Sequence, residues 1–278
     1  DAARANYDLA VTGGGTKSVT AGVNTDVEIK NTYTVHKGKL VLKKTVTGYN
    51  GTNKTYKFEV KNADKKWIKS DGSVSDTQVY INVTAGTDVT ISNLPVGSYT
   101  VSEDQTDAAR TDYDLVVTGG GTKIVTKDGT IDAEITNTYT VHKGSLVLKK
   151  TVTGYNCTNK TYKFEVKNSD GKWIKSDGSV SDTQVYINVT AGTDVTISGL
   201  PVGNYTVSED QTDAARTNYD LVVTGEGAKA VTKGGTTDAE IKNTYTVHKG
   251  KLVLSKTVKG YSGTDKTYKF EVTNADKE

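Results

Sequence analysis

The segment DAARANYDL at residues 1–9 returns as DAARTDYDL from Asp107 and as DAARTNYDL from Asp213, a spacing of 106 residues each time. In the same way KLVLKKTVTGYNGTNKTYKFEV from Lys39 returns from Ser145 and again from Lys251. A period this long is one whole domain, because the stacked units of solenoids and propellers recur at about 20–50 residues. The chain must therefore fold as beads of one design, each closing its own core.

Within a repeat the apolar residues alternate. Leu40 and Leu42, then Phe58 and Val60, then Val79, Ile81 and Val83, then Val89 and Ile91, then Tyr99 and Val101 each skip one polar or outward residue. That period of two, in segments rich in Val, Ile, Thr and Tyr, predicts half-buried strands. Turn signals separate them at 48–53, 70–72, 85–88, 94–97 and 119–121, and no helical stripe appears. The expected fold is all-β: tandem Ig-like or prealbumin-like sandwiches of about seven strands each.

The segment TVHKG at 34–38, 140–144 and 246–250 has no alternation of its own and places the joints. Cutting there gives complete repeats at 38–143 and 144–249. Residues 1–37 then read as the C-terminal part of one truncated repeat, and 250–278 as the N-terminal part of another. The joints carry no Gly/Ser-rich spacer, so neighbours should be held stiffly and the array should form a rod. The missing initiator Met and signal peptide are what an internal fragment would show.

Only 34% of residues are hydrophobic, against about 45–50% in ordinary domains. A small domain with so lean a core needs a covalent or metal staple. Disulfides are excluded, since the one cysteine, Cys157, stands where the sister copies have Gly51 and Gly263; a free thiol in a turn is expected there. His36, His142 and His248 fall in the joints without a second His or a Cys nearby, so no metal site is expected. DGSVSD at 71–76 begins like a calcium loop, but its twelfth residue is Asn82, not Glu, and a DG hairpin turn is the reading adopted. The glycine runs at 13–15 and 119–121 precede no helix, which excludes phosphate binding of the helix N-terminal kind and leaves no cofactor implied. Trp67 and Trp173 are placed in the core. The net charge of +2 is spread over interleaved lysines and acids, which points away from nucleic acid as a partner. No apolar run reaches the length of a membrane span.

Three polar residues fall on inward parity. If Leu40 and Leu42 face the core, so does Lys44, while Lys43 faces out. Ser255 replaces that outer lysine in the third copy and Lys256 keeps the inner one. Glu103 follows Tyr99 and Val101, and Asn137 follows Ala133 and Ile135. The second repeat places Lys150, Glu209 and Asn243 alike. A core buries an amine, a carboxyl and a carboxamide only if they meet. Parity leaves two outcomes open: a buried Lys–Glu ion pair with an Asn partner, or strand ends that turn these groups to water.

The order LxLxK, then LPxGxYxVxE through Leu94, Pro95, Gly97, Tyr99, Val101 and Glu103, then Asn in a terminal NT, resembles the Cna protein B-type domain of Gram-positive adhesins and pilins. The resemblance spans the whole repeat. In that family a first-strand lysine joins a last-strand asparagine in a self-formed isopeptide bond, assisted by a glutamate. It implies crosslinks Lys44–Asn137 with Glu103 and Lys150–Asn243 with Glu209. Asn31 and Lys256 are then half-sites without partners in this chain. A Thr–Gln ester link is the chemical rival, disfavoured because the last strand carries no Gln.

The implied function is the stalk of a wall-anchored, extracellular adhesin or pilus-like fibre, not a conventional enzyme. Its partners would be neighbouring repeats and, through a tip domain outside this chain, a host surface protein or glycan. The alternative is that the repeats themselves bind host protein or glycan multivalently.

Overall fold

A computed structural model of the chain describes residues 3–50, 54–156, 160–261 and 266–273. Cys157 and the glycines matching it, Gly51 and Gly263, lie outside them. Strands β1 (Tyr7–Gly13) and β2 (Ile29–Val35) form an antiparallel ribbon. The next ten strands are β3 (Lys37–Thr47), β4 (Thr55–Asn62), β5 (Trp67–Ile68), β6 (Val74–Ser75), β7 (Ile81–Thr84), β8 (Val89–Pro95), β9 (Gly97–Glu103), β10 (Tyr113–Gly119), β11 (Gly121–Val125) and β12 (Thr130–Val141). A one-turn helix, α1 (Gln105–Ala108), sits between β9 and β10.

The second repeat copies the first. Its strands are β13 (Lys143–Thr153), β14 (Thr161–Lys167), β15 (Trp173–Ile174), β16 (Val180–Ser181), β17 (Ile187–Thr190), β18 (Val195–Pro201) and β19 (Gly203–Glu209), then β20 (Tyr219–Thr224), β21 (Gly227–Val231) and β22 (Thr236–Val247). Helix α2 (Gln211–Ala214) lies between β19 and β20. The described residues after 250 carry no strand.

Each repeat is two sheets face to face. One runs β10-β12-β3-β8; the other runs β11-β9-β4-β5-β6, with β7 also paired to β4. The second repeat gives β20-β22-β13-β18 and β21-β19-β14-β15-β16, with β17 on β14. The alternating residues meet between the sheets: Leu40, Leu42, Tyr56, Phe58, Val60 and Ile91 are fully buried, as are their counterparts in a separate second core. The sandwich expected from the sequence is present, with more strand segments than the expected seven. The surplus comes from pieces such as β5 and β6, whose two residues give no alternation to read. They form the hairpin around Asp71–Gly72, closed by the Gly72 N–H donating to the Lys69 carbonyl at 2.9 Å.

Two local devices explain conspicuous letters. In LPxGxY, Leu94 is fully buried and the Tyr99 hydroxyl donates back to the Pro95 carbonyl at 2.8 Å, locking the β8–β9 corner. Trp67 and Trp173 are neither core nor exposed: both are half-buried, with the ammonium groups of Lys61 and Lys167 at 4.8 and 4.7 Å over their rings. Glycine is required after the first strand of each repeat. Gly154 has φ +76°, and a Cβ there would lie 1.9 Å from the Tyr245 carbonyl oxygen. Gly154→Ala should therefore cost more than about 1 kcal/mol, read as a lower urea midpoint for the second repeat with the first unchanged.

Candidate functional site

The decisive pairing joins the first and last strands of a repeat. β3 and β12 run parallel, with Lys44 opposite Ile135 and Val46 opposite Asn137. Side chains alternate faces along a strand, so Lys44 and Asn137 are diagonal neighbours on the inner face. Glu103 comes from the other sheet, on β9 opposite Phe58 of β4, and reaches across the sandwich. Parity along three separate strands thus converges on one point.

The three groups meet there. Lys44 Nζ donates to Glu103 Oε2 at 3.2 Å and to the Ile135 carbonyl at 3.3 Å. Asn137 Nδ2 donates to the other carboxyl oxygen, Glu103 Oε1, at 3.0 Å. Both charged side chains are wholly shielded from solvent, and Asn137 is completely buried. Of the two outcomes that parity left open, the strand-end one is overruled, because all three side chains point inward. Lys43, on the outer face, instead pairs with Asp132 at 2.6 Å.

The environment works against charge. Burial lowers the Lys44 pKa from the ordinary lysine value, opposed by the attraction of the Glu103 carboxylate. Burial also raises the Glu103 pKa, opposed by Lys44 and by the hydrogen bonds from Lys44 and Asn137. Both shifts favour the neutral amine and the neutral acid. Asn137 Oδ1 is buried with no hydrogen-bond partner among the described residues.

The second repeat builds the same site with a different arrangement. Lys150 Nζ lies 2.8 Å from Glu209 Oε1, both fully shielded. Asn243, also completely buried, directs Nδ2 to the Tyr245 hydroxyl at 3.5 Å. Glu226 stands where the first repeat has Gly120, and its carboxylate accepts the Glu209 backbone N–H at 2.8 Å. Asn31 lies on β2 and is exposed, opposite Val11. Lys256 lies in a segment without strand, its ammonium 5.2 Å from the Tyr268 ring centroid. Among the described residues, neither has a lysine–glutamate or asparagine–glutamate arrangement around it.

Sequence reasoning missed the aromatic wall. The Tyr56 ring lies 4.8 Å from Lys44 Nζ, and Tyr162 lies 4.7 Å from Lys150 Nζ. Burial pushes the Tyr56 hydroxyl far above its ordinary pKa. Its signal was present, since Tyr56 shares the inward parity of Phe58 and Val60. Helix α1 was also missed. Asp104 caps it, accepting from Thr106 N–H at 3.0 Å and Asp107 N–H at 3.3 Å, and the Tyr139 hydroxyl ties it to the last strand through the Ala108 carbonyl at 2.6 Å. One turn is too short to show a periodicity.

Among solved structures the chain is similar to the Bacillus anthracis TIE protein, with 20% identity and a TM-score of 0.42. That match covers 79% of this chain and 38% of the TIE protein. It is also similar to the major pilin of Streptococcus pyogenes (16% identity, TM-score 0.35, 76% of this chain and 98% of the pilin). A third is the minor pilin of Streptococcus agalactiae (15% identity, TM-score 0.32, 79% of this chain and all of the pilin). The chain spans 63% of a streptococcal ancillary pilin that it also matches. No curated protein matches. A family described as a domain of unknown function, DUF5979, matches residues 40–140 and again 146–246, once over each sandwich. Those two segments take up more than half of the chain, which therefore belongs to the DUF5979 family.

Proposed function

We propose that the two sandwiches are shaft repeats of a bacterial cell-surface adhesin or pilus-like fibre, each locked by an isopeptide bond between Lys44 and Asn137 or between Lys150 and Asn243. The repeats are taken as 38–143 and 144–249, with 1–37 and 250–278 as parts of neighbouring copies. The observation that carries this reading is Glu103 holding the Lys44 amine and the Asn137 carboxamide at once, inside the core.

The chemistry balances without a co-reactant. A proton passes from the Lys44 ammonium to Glu103, which burial of both groups favours. Turning the carboxamide about its last bond brings the unpartnered Asn137 Oδ1 to face the carboxylic acid, which donates to it and polarises the carbonyl. The Lys44 nitrogen lone pair attacks Asn137 Cγ, forming a C–N bond. The bond from Cγ to Nδ2 then breaks, with Glu103 relaying the surplus amine proton to Nδ2, and ammonia leaves. Glu103 ends as the neutral carboxylic acid, keeping the proton it took from Lys44. The fold holds amine and amide as an intramolecular pair, which supplies much of the rate. The product cannot turn over, so the repeat is a self-crosslinking structural unit and no enzyme in the usual sense.

A bond between first and last strands carries tension from one joint of a repeat to the other without loading the sheet ladders, which suits a shaft outside the cell. Intact mass spectrometry tests the reading: the purified chain should be two ammonia molecules lighter than its sequence, and Lys44→Ala should be short of only one. A wild-type chain at full sequence mass would rule the crosslinks out.

A further inference from the structure

The three histidines belong to a construction the shaft reading does not use. His36 Nε2 lies 2.9 Å from Asp8 Oδ1, and that carboxylate also takes Lys127 Nζ of the following repeat at 2.7 and 2.9 Å. One period on, His142 Nε2 lies 3.0 Å from Asp114 Oδ1, and Lys233 Nζ reaches the same oxygen at 2.6 Å and His142 Nε2 at 3.1 Å. Each lysine sits in the turn between the penultimate and last strands of its own repeat, 119 residues from its aspartate.

The backbone beneath this trio is gripped as well. The His142 carbonyl accepts from Val202 N–H at 3.0 Å, and the Lys143 carbonyl from Gly234 N–H at 2.7 Å. His36 and Lys37 receive the same pair of bonds from Val96 at 3.0 Å and Asp128 at 2.8 Å. A Cβ on Gly144 would lie 2.3 Å from the Thr232 carbonyl, so the first strand of the second repeat starts flush against that repeat's own lysine-bearing turn. At Asp220 and His248, over which the described residues lay no such turn, the histidine side chain is 53% exposed, against 19% for His36 and 14% for His142.

We infer that the Asp–His pair at the end of each repeat is a docking socket for the turn lysine of a following repeat, and that this contact sets the rotation of one repeat about the next. The backbone bonds fix where the chain enters the next sandwich but leave the preceding sandwich free to swivel about its exit strand. Among the described residues, Lys233 to Asp114 is a contact that joins the body of one repeat to the body of the other. An exposed ion pair is weak by itself, but here it has only to choose among rotations of parts already tethered. The chemistry also selects the partner: a second copy of the same repeat, presenting a lysine in that turn.

Pulsed electron resonance on the full chain measures this. With Cys157→Ser as background, spin labels at Val74→Cys and Val180→Cys occupy equivalent positions, each 53% exposed, on β6 and β16. The expected result is one narrow distance. Asp114→Lys should lose it to a broad distribution, and adding Lys233→Asp should restore it, which a merely destabilised joint would not do. A distribution unchanged in Asp114→Lys, or one that stays broad in the charge-swapped pair, overturns the inference. Neither result depends on whether the crosslinks form.

Discussion

Asn137→Ala is expected to lower the melting temperature of the first repeat by on the order of 20 °C while the second repeat melts where it did. The crosslink closes a loop of roughly 90 residues, and by analogy with a disulfide its loss removes about 4–5 kcal/mol. A domain of this size typically has only about 5–15 kcal/mol in total. Each kcal/mol moves the midpoint by about 4–8 °C. The variant isolates the bond better than Lys44→Ala, which would strand a buried Glu103 without its partner, itself a strongly destabilising change. With Asn137 gone, Lys44 and Glu103 still face each other at 3.2 Å. Calorimetry carries its own control, because the repeats have separate cores. Two transitions should appear where the wild type has nearly coincident ones. A first-repeat midpoint within a few degrees of the second would mean that no covalent link contributes there.

Glu103→Gln should leave the fold in place and slow bond formation in the first repeat by about 10²–10⁴-fold, the usual worth of a positioned acid–base group. Glutamine has the same shape and can still hydrogen-bond to Asn137, but it cannot take the proton from Lys44 or pass one to the departing nitrogen. Freshly purified variant should therefore retain the ammonia of the first repeat and lack that of the second. Separating the repeats by proteolysis before mass measurement assigns the loss. If the variant chain is crosslinked as quickly as the wild type, Glu103 is a structural partner of Lys44 and nothing more.

Much of this molecule can be read from its letters because a strand is a local object with a period of two. The inward parity of Lys44, Glu103 and Asn137 follows from Leu42, Val101 and Ile135 two residues before each, and the structure shows all six buried. Tyr56 obeyed the same rule, yet an aromatic on an inward position looks like any core residue until its ring is seen against an amine. The two-residue strands and the one-turn helix were illegible for the opposite reason: they are shorter than any period that could announce them. Cys157 lies outside the described residues, so the structure adds nothing to the expectation of a free thiol.

What the sequence determined by itself is the repeat, its β character, and which polar residues fall on inward parity. The strand period and the parity depend only on residues close together in the chain, and the repeat only on setting one copy beside the next. What only the tertiary structure decided is which inward groups meet. Pairing β3 in parallel with β12 puts residues 91 positions apart side by side and makes Lys44 and Asn137 diagonal neighbours, and the opposite sheet brings Glu103 between them. The same holds at the joint, where nothing in TVHKG names the lysine of a later turn that closes on Asp114. Contacts across such separations are set by how whole sheets stack, and no local pattern encodes them.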